Sequence, residues 1–529
     1  MTTPRVLMVY PKFTPNWFWS LQTVRELAGA RSVEPPLGLI TVAALLPRDW
    51  QIRLVDRNAE ELKTSDIEWA DLIMTGGMIP QQPDTLALID LCHQFGKRIV
   101  VGGPAVTSSP DVFQAADFRV LGEAEGIIDQ FVAAVAGGAS QGVFDGRDLK
   151  IDVSASPVPR FDLLNPAHYL FMAVQFSRGC PFNCEFCDII ELFGRVPRAK
   201  TTEQMLAELD AIYRSGYRGH IDFVDDNLIG NKKALKQFLP KLREWQRQRR
   251  YPFKFTTEAS INLADDWQLL ELLRDTNFVA IFVGIETPDT ETLVAIRKKQ
   301  NTRRSIAESI HKIYSAGMFV TAGFIVGFDT EQDAVADTMV DCIDASSIPV
   351  CLLGLLAALP NTQLSRRLKQ EGRLHFLDAE KANQCTGVLN FTTLRPRHEI
   401  LADFKSVVER IYEPAAYFRR VQALSRMIRP RPRAAVRPLK CLVRDIKMTG
   451  RLLWHVHVLK PHLRPYFWGA IADCIKNNPR AVEVVIWMMV FYLHLGNFAD
   501  FVVGELDGQI ETARQESFQQ FAPSAITAT

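Results

Sequence analysis

The chain has 529 residues and a mass of 59.7 kDa, well above the roughly 250 to 300 residues at which a single core stops growing, so two to four domains are expected. Hydrophobic residues at 47% and charged residues at 23% exclude a disordered, collagen-like or multi-spanning membrane protein. With 61 basic and 60 acidic residues the net charge is +1, so the chain as a whole has no attraction to nucleic acid or anionic lipid.

Cysteine content and apolar runs predict where the protein resides. Nine cysteines are too few for a disulfide scaffold, and no signal-peptide pattern precedes the first strand-like run. The longest uninterrupted apolar run, 484–493, is shorter than the roughly 20 residues that a helix needs to cross a bilayer. We therefore expect a cytoplasmic protein with no membrane-spanning helix.

Residues 1–140 alternate short β-rich runs with helical stretches. Runs such as VLMVY lack polar alternation, which is typical of parallel strands buried on both faces, so we predict a doubly wound, Rossmann-like α/β domain. Ligands of such sheets bind beyond the carboxyl ends of the strands, where this chain has the turns Thr75-Gly76-Gly77 and Gly102-Gly103-Pro104. These turns predict a cleft that holds a cofactor. Gly-rich turns also occur where the chain only has to turn sharply between a strand and a helix, without any ligand. The predicted strands are 5–11, 52–56, 72–77, 98–104 and 119–122.

A second alternating domain is predicted at 167–385, after a Gly-, Ser- and Pro-rich linker at 141–166. Six βα units in this length predict a complete or partial (β/α)6 TIM-like barrel, with its chemistry at the carboxyl ends of the strands. The predicted strands are 172–178, 220–225, 254–260, 279–286, 320–328 and 351–359.

The last region, 386–529, is predicted to be mainly helical and is locally basic. Residues 426–464 contain eleven Lys or Arg and one acid, Asp445, and apolar and aromatic residues interleave with them as far as Trp468. This composition predicts an amphipathic element that rests on an anionic membrane or binds an apolar, anionic or lipid-borne substrate. Nucleic acid is the competing partner, and a solvated basic face with inward tryptophans is the simplest alternative.

Three cysteines directly follow the first strand of the second domain. Zinc in a closed structural site would need a fourth ligand, and no further Cys or His occurs before His220. A [4Fe-4S] cube held by three cysteines instead leaves one iron open to bind a substrate or cofactor. The segment reads Arg178-Gly179-Cys180-Pro181-Phe182-Asn183-Cys184-Glu185-Phe186-Cys187.

This segment resembles the Cys-x3-Cys-x2-Cys motif of the radical S-adenosylmethionine (SAM) superfamily, in which an aromatic residue precedes the last cysteine. The resemblance implies that the three cysteines hold a [4Fe-4S] cluster, that its open iron binds SAM, and that cleavage of SAM gives a 5′-deoxyadenosyl radical. It also implies SAM contacts at later strand ends, although each carboxylate taken singly also fits a helix N-cap. The implied SAM contacts are Phe186, Asp225, Asp226, Asn227, Glu258, Glu286, Gly323 and Ile325.

The N-terminal domain resembles the cobalamin-binding domain of B12-dependent radical enzymes, because Glu34-Pro35-Pro36-Leu37-Gly38-Leu39 occurs early and Gly102-Gly103-Pro104 late. The resemblance implies cobalamin at Thr75, Gly76 and Gly77 and at the second turn. Such domains often carry Asp-x-His-x-x-Gly, whose His is the lower ligand of cobalt. Here Asn58 and Glu61 stand at the His and Gly positions, so a lower-ligand His is not expected.

Together these features resemble the class B radical SAM methyltransferases, and the extra C-terminal region resembles that of a subgroup related to hopanoid C-methylases. The implied function is C-methylation at an unactivated carbon of a hydrophobic substrate, such as a polycyclic lipid, or of a natural-product intermediate. A radical SAM cyclase or rearrangement enzyme that uses cobalamin otherwise, and a non-catalytic B12 or iron sensor, are the alternatives. The resemblance implies an electron donor such as flavodoxin or ferredoxin. Peripheral contact with the inner membrane face through 426–468 is expected, and nucleic acid is not.

Overall fold

A computed structural model of the chain describes residues 3–149, 151–377, 385–387, 389–431 and 439–521. Two parallel β-sheets and a helical C-terminal region account for these residues. The predicted fold class, a doubly wound α/β domain followed by a partial barrel and a helical domain, is confirmed.

The N-terminal sheet has six parallel strands in the order β2-β1-β3-β4-β5-β6. Separate hydrophobic cores cover its two faces, as the uninterrupted apolar strands predict. The strands are β1 (Arg5–Tyr10), β2 (Gln51–Asp56), β3 (Leu72–Gly76), β4 (Arg98–Gly102), β5 (Phe118–Leu121) and β6 (Gly142–Asp145), and the helices are α1 (Gln22–Ala28), α2 (Leu37–Leu45), α3 (Thr64–Trp69), α4 (Gln82–Gln94), α5 (Pro104–Ser108) and α6 (Ile128–Ala136).

Strand β6 corrects the predicted linker at 141–166, because its residues pair with β5 instead of connecting domains. The four residues GVFD form an edge strand whose alternate side chains are exposed, so they contain no buried apolar run. Gly and Ser residues on its N-terminal side give the segment the composition of a loop.

The second sheet has six parallel strands in the order β14-β13-β12-β11-β10-β7 and leaves β7 and β14 as edges, so the barrel is partial. The predicted strand 172–178 is divided in two. Its first part pairs with β10, and its second part, β8, pairs antiparallel with β9. The strands are β7 (Met172–Val174), β8 (Ser177–Arg178), β9 (Arg198–Ala199), β10 (Gly219–Phe223), β11 (Phe253–Glu258), β12 (Phe278–Glu286), β13 (Phe319–Val326) and β14 (Val350–Leu355), and the helices are α7 (Ile189–Leu192), α8 (Thr202–Arg214), α9 (Lys232–Gln248), α10 (Trp267–Asp275), α11 (Thr290–Ala295), α12 (Ile306–Ser315), α13 (Val335–Ser346) and α14 (Gln363–Gln370).

The C-terminal region contains five longer helices, and residues 432–438 of its basic segment lie outside the described residues. Helix α19 is its centre, since Tyr417 Oη donates to the Met488 carbonyl and Tyr492 Oη to the Tyr412 carbonyl. The helices are α15 (Arg397–Tyr412), α16 (Pro414–Met427), α17 (Leu439–Trp454), α18 (Arg464–Asn477) and α19 (Val482–Phe521).

One described helical stretch, Pro479–Glu516, is long and apolar enough to cross a membrane by length and composition alone, which the sequence analysis does not predict. Of its most apolar 18-residue window, 56% is buried inside the protein. Buried core helices have the same composition, so this stretch is weak evidence for a membrane span.

Candidate active site

A cavity of about 1810 Å³ runs through the partial barrel. Its wall includes Asp226 and Glu258 at the carboxyl ends of the strands and Gly219 and Phe253 at their amino ends. Residues of the segment 10–35 and of helices α17 and α19 form the opposite wall. Single-ligand pockets usually measure about 300 to 1,000 Å³, so this cavity has room for more than one ligand.

The cysteine loop begins with a turn that only glycine adopts easily. Gly179 has φ +94°, and a Cβ atom there would lie 2.9 Å from the Gly194 carbonyl oxygen. The Gly179 amide donates to Asp226 Oδ2 at 2.9 Å, and the Cys180 amide donates to the Gly194 carbonyl at 3.3 Å. The turn therefore fixes where the first thiol stands.

One of the three thiols, Cys184, is buried, and the other two are half-buried. Burial raises the pKa of Cys180, Cys184 and Cys187, and the charge of Asp188, followed by those of the other two thiols, raises that of Cys187 further. Asn227 Nδ2 donates to Cys180 Sγ and Gln300 Nε2 to Cys184 Sγ, each at 3.8 Å. Such thiolates need a cationic centre to be stable, so the donor set fits an iron–sulfur cluster. Across the described ranges, no three His, Cys, Asp or Glu side chains are grouped to hold a single metal ion.

Lys298 supplies a positive charge beside this set. Its side chain is buried and paired with Glu286, and its Nζ lies 5.9 Å from the ring centroid of Phe186. Burial opposes the ammonium, but the charges of Glu286 and Cys184 outweigh it and raise the pKa of Lys298. Glu286 has φ +67°, a strained conformation for a residue other than glycine. The charged lysine offsets part of the thiolate charge.

The predicted residues after β10 hold the cysteine loop in place. Asp225 accepts from the Phe176 amide at 2.9 Å and from Ser177 Oγ at 2.6 Å, and burial raises the pKa of its carboxyl to about 7. Asp226 accepts from Gly179, and burial raises its pKa to about 6. Both aspartates also line the cavity, so their predicted contact with SAM stays a prediction.

Glu258 faces the cavity, as its place at the end of β11 predicts. Its side chain lines that cavity, and burial, followed by the charge of Asp222, raises its pKa to about 8. Asp222 accepts from Thr256 Oγ1 at 2.6 Å and also shares a hydrogen bond with Glu34, whose pKa is raised well above its usual value by burial. The pKa values of Glu34, Asp222 and Glu258 are therefore all raised on this part of the wall.

Gly323 and Ile325 on β13 are two of the implied SAM contacts. A Cβ atom at Gly323 would lie 3.0 Å from Phe282 Cζ, so the glycine leaves space for that ring. Phe282 belongs to the cavity wall, whereas the residues described there include neither Gly323 nor Ile325.

The two Gly-rich turns of the N-terminal domain pack against each other. A Cβ atom at Gly76 would lie 2.8 Å from the Gly102 carbonyl oxygen, and one at Gly103, which has φ +90°, would lie 3.2 Å from the Gly77 amide nitrogen. Packing thus explains the glycines. Met78 reaches the cavity wall, and the described wall contains none of the residues from Thr75 to Gly77 or from Gly102 to Pro104. Their contact with cobalamin stays a prediction.

The sheet edge that faces the cavity presents no imidazole. The Asn58 side chain accepts from the Phe13 amide at 3.0 Å and donates to the Pro11 carbonyl at 2.9 Å, so its polar atoms are used within the loops. Within the described part of the wall, His220 is the one histidine, and it lies across the cavity on β10 beside Thr256. The site fits cobalamin by its volume, and the described residues that the N-terminal sheet domain gives to the wall include no histidine.

A buried charge cluster that the sequence analysis misses joins the two sheet domains. Arg178 forms ion pairs of 2.8 Å with both Glu123 and Glu125, and Arg198 pairs with Glu123 at 2.7 Å. The sequence contains a signal for this cluster. Two acids follow the end of β5, at the edge of the first sheet where ligands bind, and Arg178 stands just before the cysteine motif. The cluster fixes the first domain relative to the cysteine loop.

This cluster predicts an acid-sensitive fold. Burial alone would raise the pKa of Glu125, but its hydrogen bonds to Arg178 and the charge of Arg178 outweigh burial and lower the pKa from 4.5 to about 2. The contribution to stability is therefore complete above pH 4.5 and is lost as the pH falls toward 2. We expect the difference in urea midpoint between wild type and Glu125→Gln to be large at pH 7 and to shrink at pH 3. A difference that does not change with pH would contradict this assignment.

Two family models match the chain. The radical SAM superfamily model matches residues 174–342, and a domain of unknown function, DUF4070, matches residues 362–507. The chain is 40% identical to an uncharacterised methyltransferase of Synechocystis sp., over 99% of this chain and 98% of that protein. It is 34% identical to the hopanoid C-2 methylase of Rhodopseudomonas palustris, over 93% of each chain.

Two solved structures share the fold at low sequence identity. The cobalamin-dependent SAM radical enzyme OxsB, with aqua-cobalamin bound, superposes with a TM-score of 0.60 and 15% identity, over 98% of this chain and 81% of OxsB. The radical SAM methyltransferase TsrM from Kitasatospora setae, with cobalamin and a [4Fe-4S] cluster bound, gives 0.57 and 13% identity, over 70% and 75%.

Proposed function

The chain belongs to the radical SAM methyltransferase family that includes the hopanoid C-2 methylase, and on that basis we propose that it methylates an unactivated carbon of a largely apolar small molecule. The observation that carries the proposal is the position of the three cysteine thiols. Cys180, Cys184 and Cys187 stand beside charged Lys298, in the loop that Asp226 of the cavity wall holds through the Gly179 amide.

Different parts of the chain would hold the iron–sulfur cluster and the cobalamin. When bound, a [4Fe-4S] cluster and SAM would supply the radical cleavage that removes hydrogen from the substrate, and cobalamin would carry the methyl group. Cys180, Cys184 and Cys187 would hold the cluster. The loops around Asn58 and Met78 would face the cobalamin, since both residues lie on the cavity wall.

The chain's own polar groups prepare the cavity for this chemistry. Lys298 keeps a positive charge next to the cysteines. This charge would favour the reduced state of a bound cluster, because that state carries more negative charge than the oxidised one. Burial raises the pKa of Glu258, and in its protonated form this residue can donate a hydrogen bond that orients SAM or substrate without adding charge. The aromatic rings of Trp19 and Phe282 pack edge to face on the cavity wall, with centroids 5.7 Å apart.

The remaining features of the proposal concern partners and location. A one-electron donor such as flavodoxin or ferredoxin would reduce the cluster. We place the protein in the cytoplasm at the inner membrane face, since its basic helix α17 carries exposed apolar side chains.

The experiment supplies anaerobic protein, reductant and SAM labelled in its methyl group to a lipid extract of the source cells. We expect 5′-deoxyadenosine and a labelled, solvent-extractable product that is one methylene heavier than its precursor. Production of 5′-deoxyadenosine with an unlabelled, altered product would support a cyclase or rearrangement enzyme instead. Binding of cofactors without 5′-deoxyadenosine would support a sensor.

A further inference from the structure

Helix α17 is attached to the body of the protein along one side only. Leu452 is buried on that side, and Arg451 Nη1 donates to the carbonyls of Glu26 and Leu27, at 3.0 Å each, at the end of α1. On the other side, Leu442 is 50% exposed and Ile446 63% exposed. We call the exposed apolar side chains of this helix the α17 surface: Leu439, Leu442, Val443, Ile446, Leu453 and Trp454.

The α17 surface has the pattern of a membrane-binding helix. Leu442, Ile446 and Leu453 recur at spacings of four and seven residues, which places them on one stripe of the helix. Contiguous exposed apolar side chains of this kind mark a surface that is covered by a partner.

The basic side chains of α17 favour an anionic bilayer as that partner. Arg444 and Lys447 are exposed on the same helix, where each cation near an anionic lipid surface contributes about 1 kcal/mol. Single-stranded nucleic acid is bound by a basic groove in which several aromatic side chains stack on successive bases, whereas Trp454 is the one aromatic residue of the α17 surface. The combination therefore favours lipid over RNA.

The same helix also forms part of the active-site cavity. Val443 and Met448 of α17 line it together with Ile486, Trp487 and Val490 of α19. Val443 is 43% exposed and belongs both to the α17 surface and to the wall, so the cavity borders the α17 surface at this residue. The wall also includes Asp226, which holds the cysteine loop through the Gly179 amide.

We propose that the α17 surface docks on an anionic phospholipid bilayer, and that the α17 end of the cavity is the entrance for a largely apolar substrate dissolved in that bilayer. The inference rests on the proposed function and adds the source and route of its substrate. An apolar molecule would pass from the bilayer along the apolar side chains of α19 to the cysteine loop without entering water, which avoids the cost of hydrating its surface.

The first test measures binding of the full chain to vesicles. We expect binding to phosphatidylcholine vesicles that contain phosphatidylglycerol, weaker binding to phosphatidylcholine alone, and weakening by salt. The Leu442→Glu/Ile446→Glu variant should bind the anionic vesicles more than tenfold more weakly, since it loses two exposed apolar side chains that docking would bury in the bilayer. Val143→Glu, which changes an equally exposed apolar residue on edge strand β6, should bind as wild type does. Equal binding by all three proteins would overturn docking, as would tighter, α17-dependent binding to single-stranded RNA.

The second test follows the route with hexadecane that carries a diazirine, dissolved in the same anionic vesicles. Irradiation should label peptides from both 439–454 and 483–491 in wild type, and neither in the Leu442→Glu/Ile446→Glu variant. Labelling of 439–454 alone would overturn the entrance. Neither measurement needs turnover, so correct labelling together with no methylated product would refute the proposed function and leave the entrance standing.

Discussion

Replacing Cys184 by serine abolishes the iron–sulfur cluster and all turnover. The Cys184 side chain is buried between the other two thiols and Gln300, and a serine hydroxyl does not ionise to replace its thiolate. Two remaining cysteines cannot hold a cube that needs at least three protein ligands. We expect anaerobically reconstituted Cys184→Ser to lose its iron, from about four per chain to background, and to form no 5′-deoxyadenosine.

A second cysteine provides the matched control. Cys92 is buried in the hydrophobic core of the N-terminal domain, and its substitution by alanine removes a small apolar group. Cys92→Ala should therefore keep its iron and its activity. Retention of iron and turnover by Cys184→Ser, with far-ultraviolet circular dichroism showing a folded chain, would refute the assignment of the cluster ligands.

Replacing Arg178 by methionine destabilises the fold more than any surface substitution. The variant leaves Glu123 and Glu125, whose side chains are 8% and 6% exposed, without their shared partner. Removing one member of a buried ion pair costs about 3 to 5 kcal/mol, because the remaining charge stays desolvated. A lower urea midpoint should be accompanied by lower iron content, since Arg178 directly precedes the cysteine loop.

Two further variants separate charge from general disruption. Arg160→Met breaks a pair with Asp162 whose side chains are 39% and 63% exposed, so the loss should be below about 1 kcal/mol. Glu123 keeps its pair with Arg198, so adding Glu125→Gln to Arg178→Met removes the one carboxylate of the cluster that has lost its ion-pair partner and should restore part of the lost stability. Equal losses for Arg160→Met and Arg178→Met would contradict a buried cluster.

The sequence predicts the chemistry of the site because that chemistry is local. Cys180, Cys184 and Cys187 lie within eight residues, so their spacing identifies the radical SAM family, which the comparisons confirm. The parallel strands are predicted for the same reason, since uninterrupted apolar runs report burial on both faces.

Features that depend on distant residues could not be predicted in this way. Lys298 lies more than a hundred residues after the cysteines and reaches them only because β12 brings its partner Glu286 to the same sheet edge. The pairing of Arg178 with Glu123 crosses two domains. Strand β6 was missed because edge pairing with β5, and not an apolar run, makes it a strand.

The Gly-rich turns show a different limit. Glycine at Gly76 and Gly103 is required by the contact between the two turns, so the pattern that predicts a cofactor cleft also arises from packing alone. Sequence patterns identify where the backbone approaches closely, and only the fold shows what it approaches.

The most direct test of the account is electron paramagnetic resonance of the anaerobically reconstituted, reduced protein before and after SAM is added. We predict the signal of a reduced [4Fe-4S] cluster that changes when SAM binds, because Cys180, Cys184 and Cys187 leave one iron free to bind it. A protein without iron, or a cluster signal that SAM does not alter, would contradict the central claim.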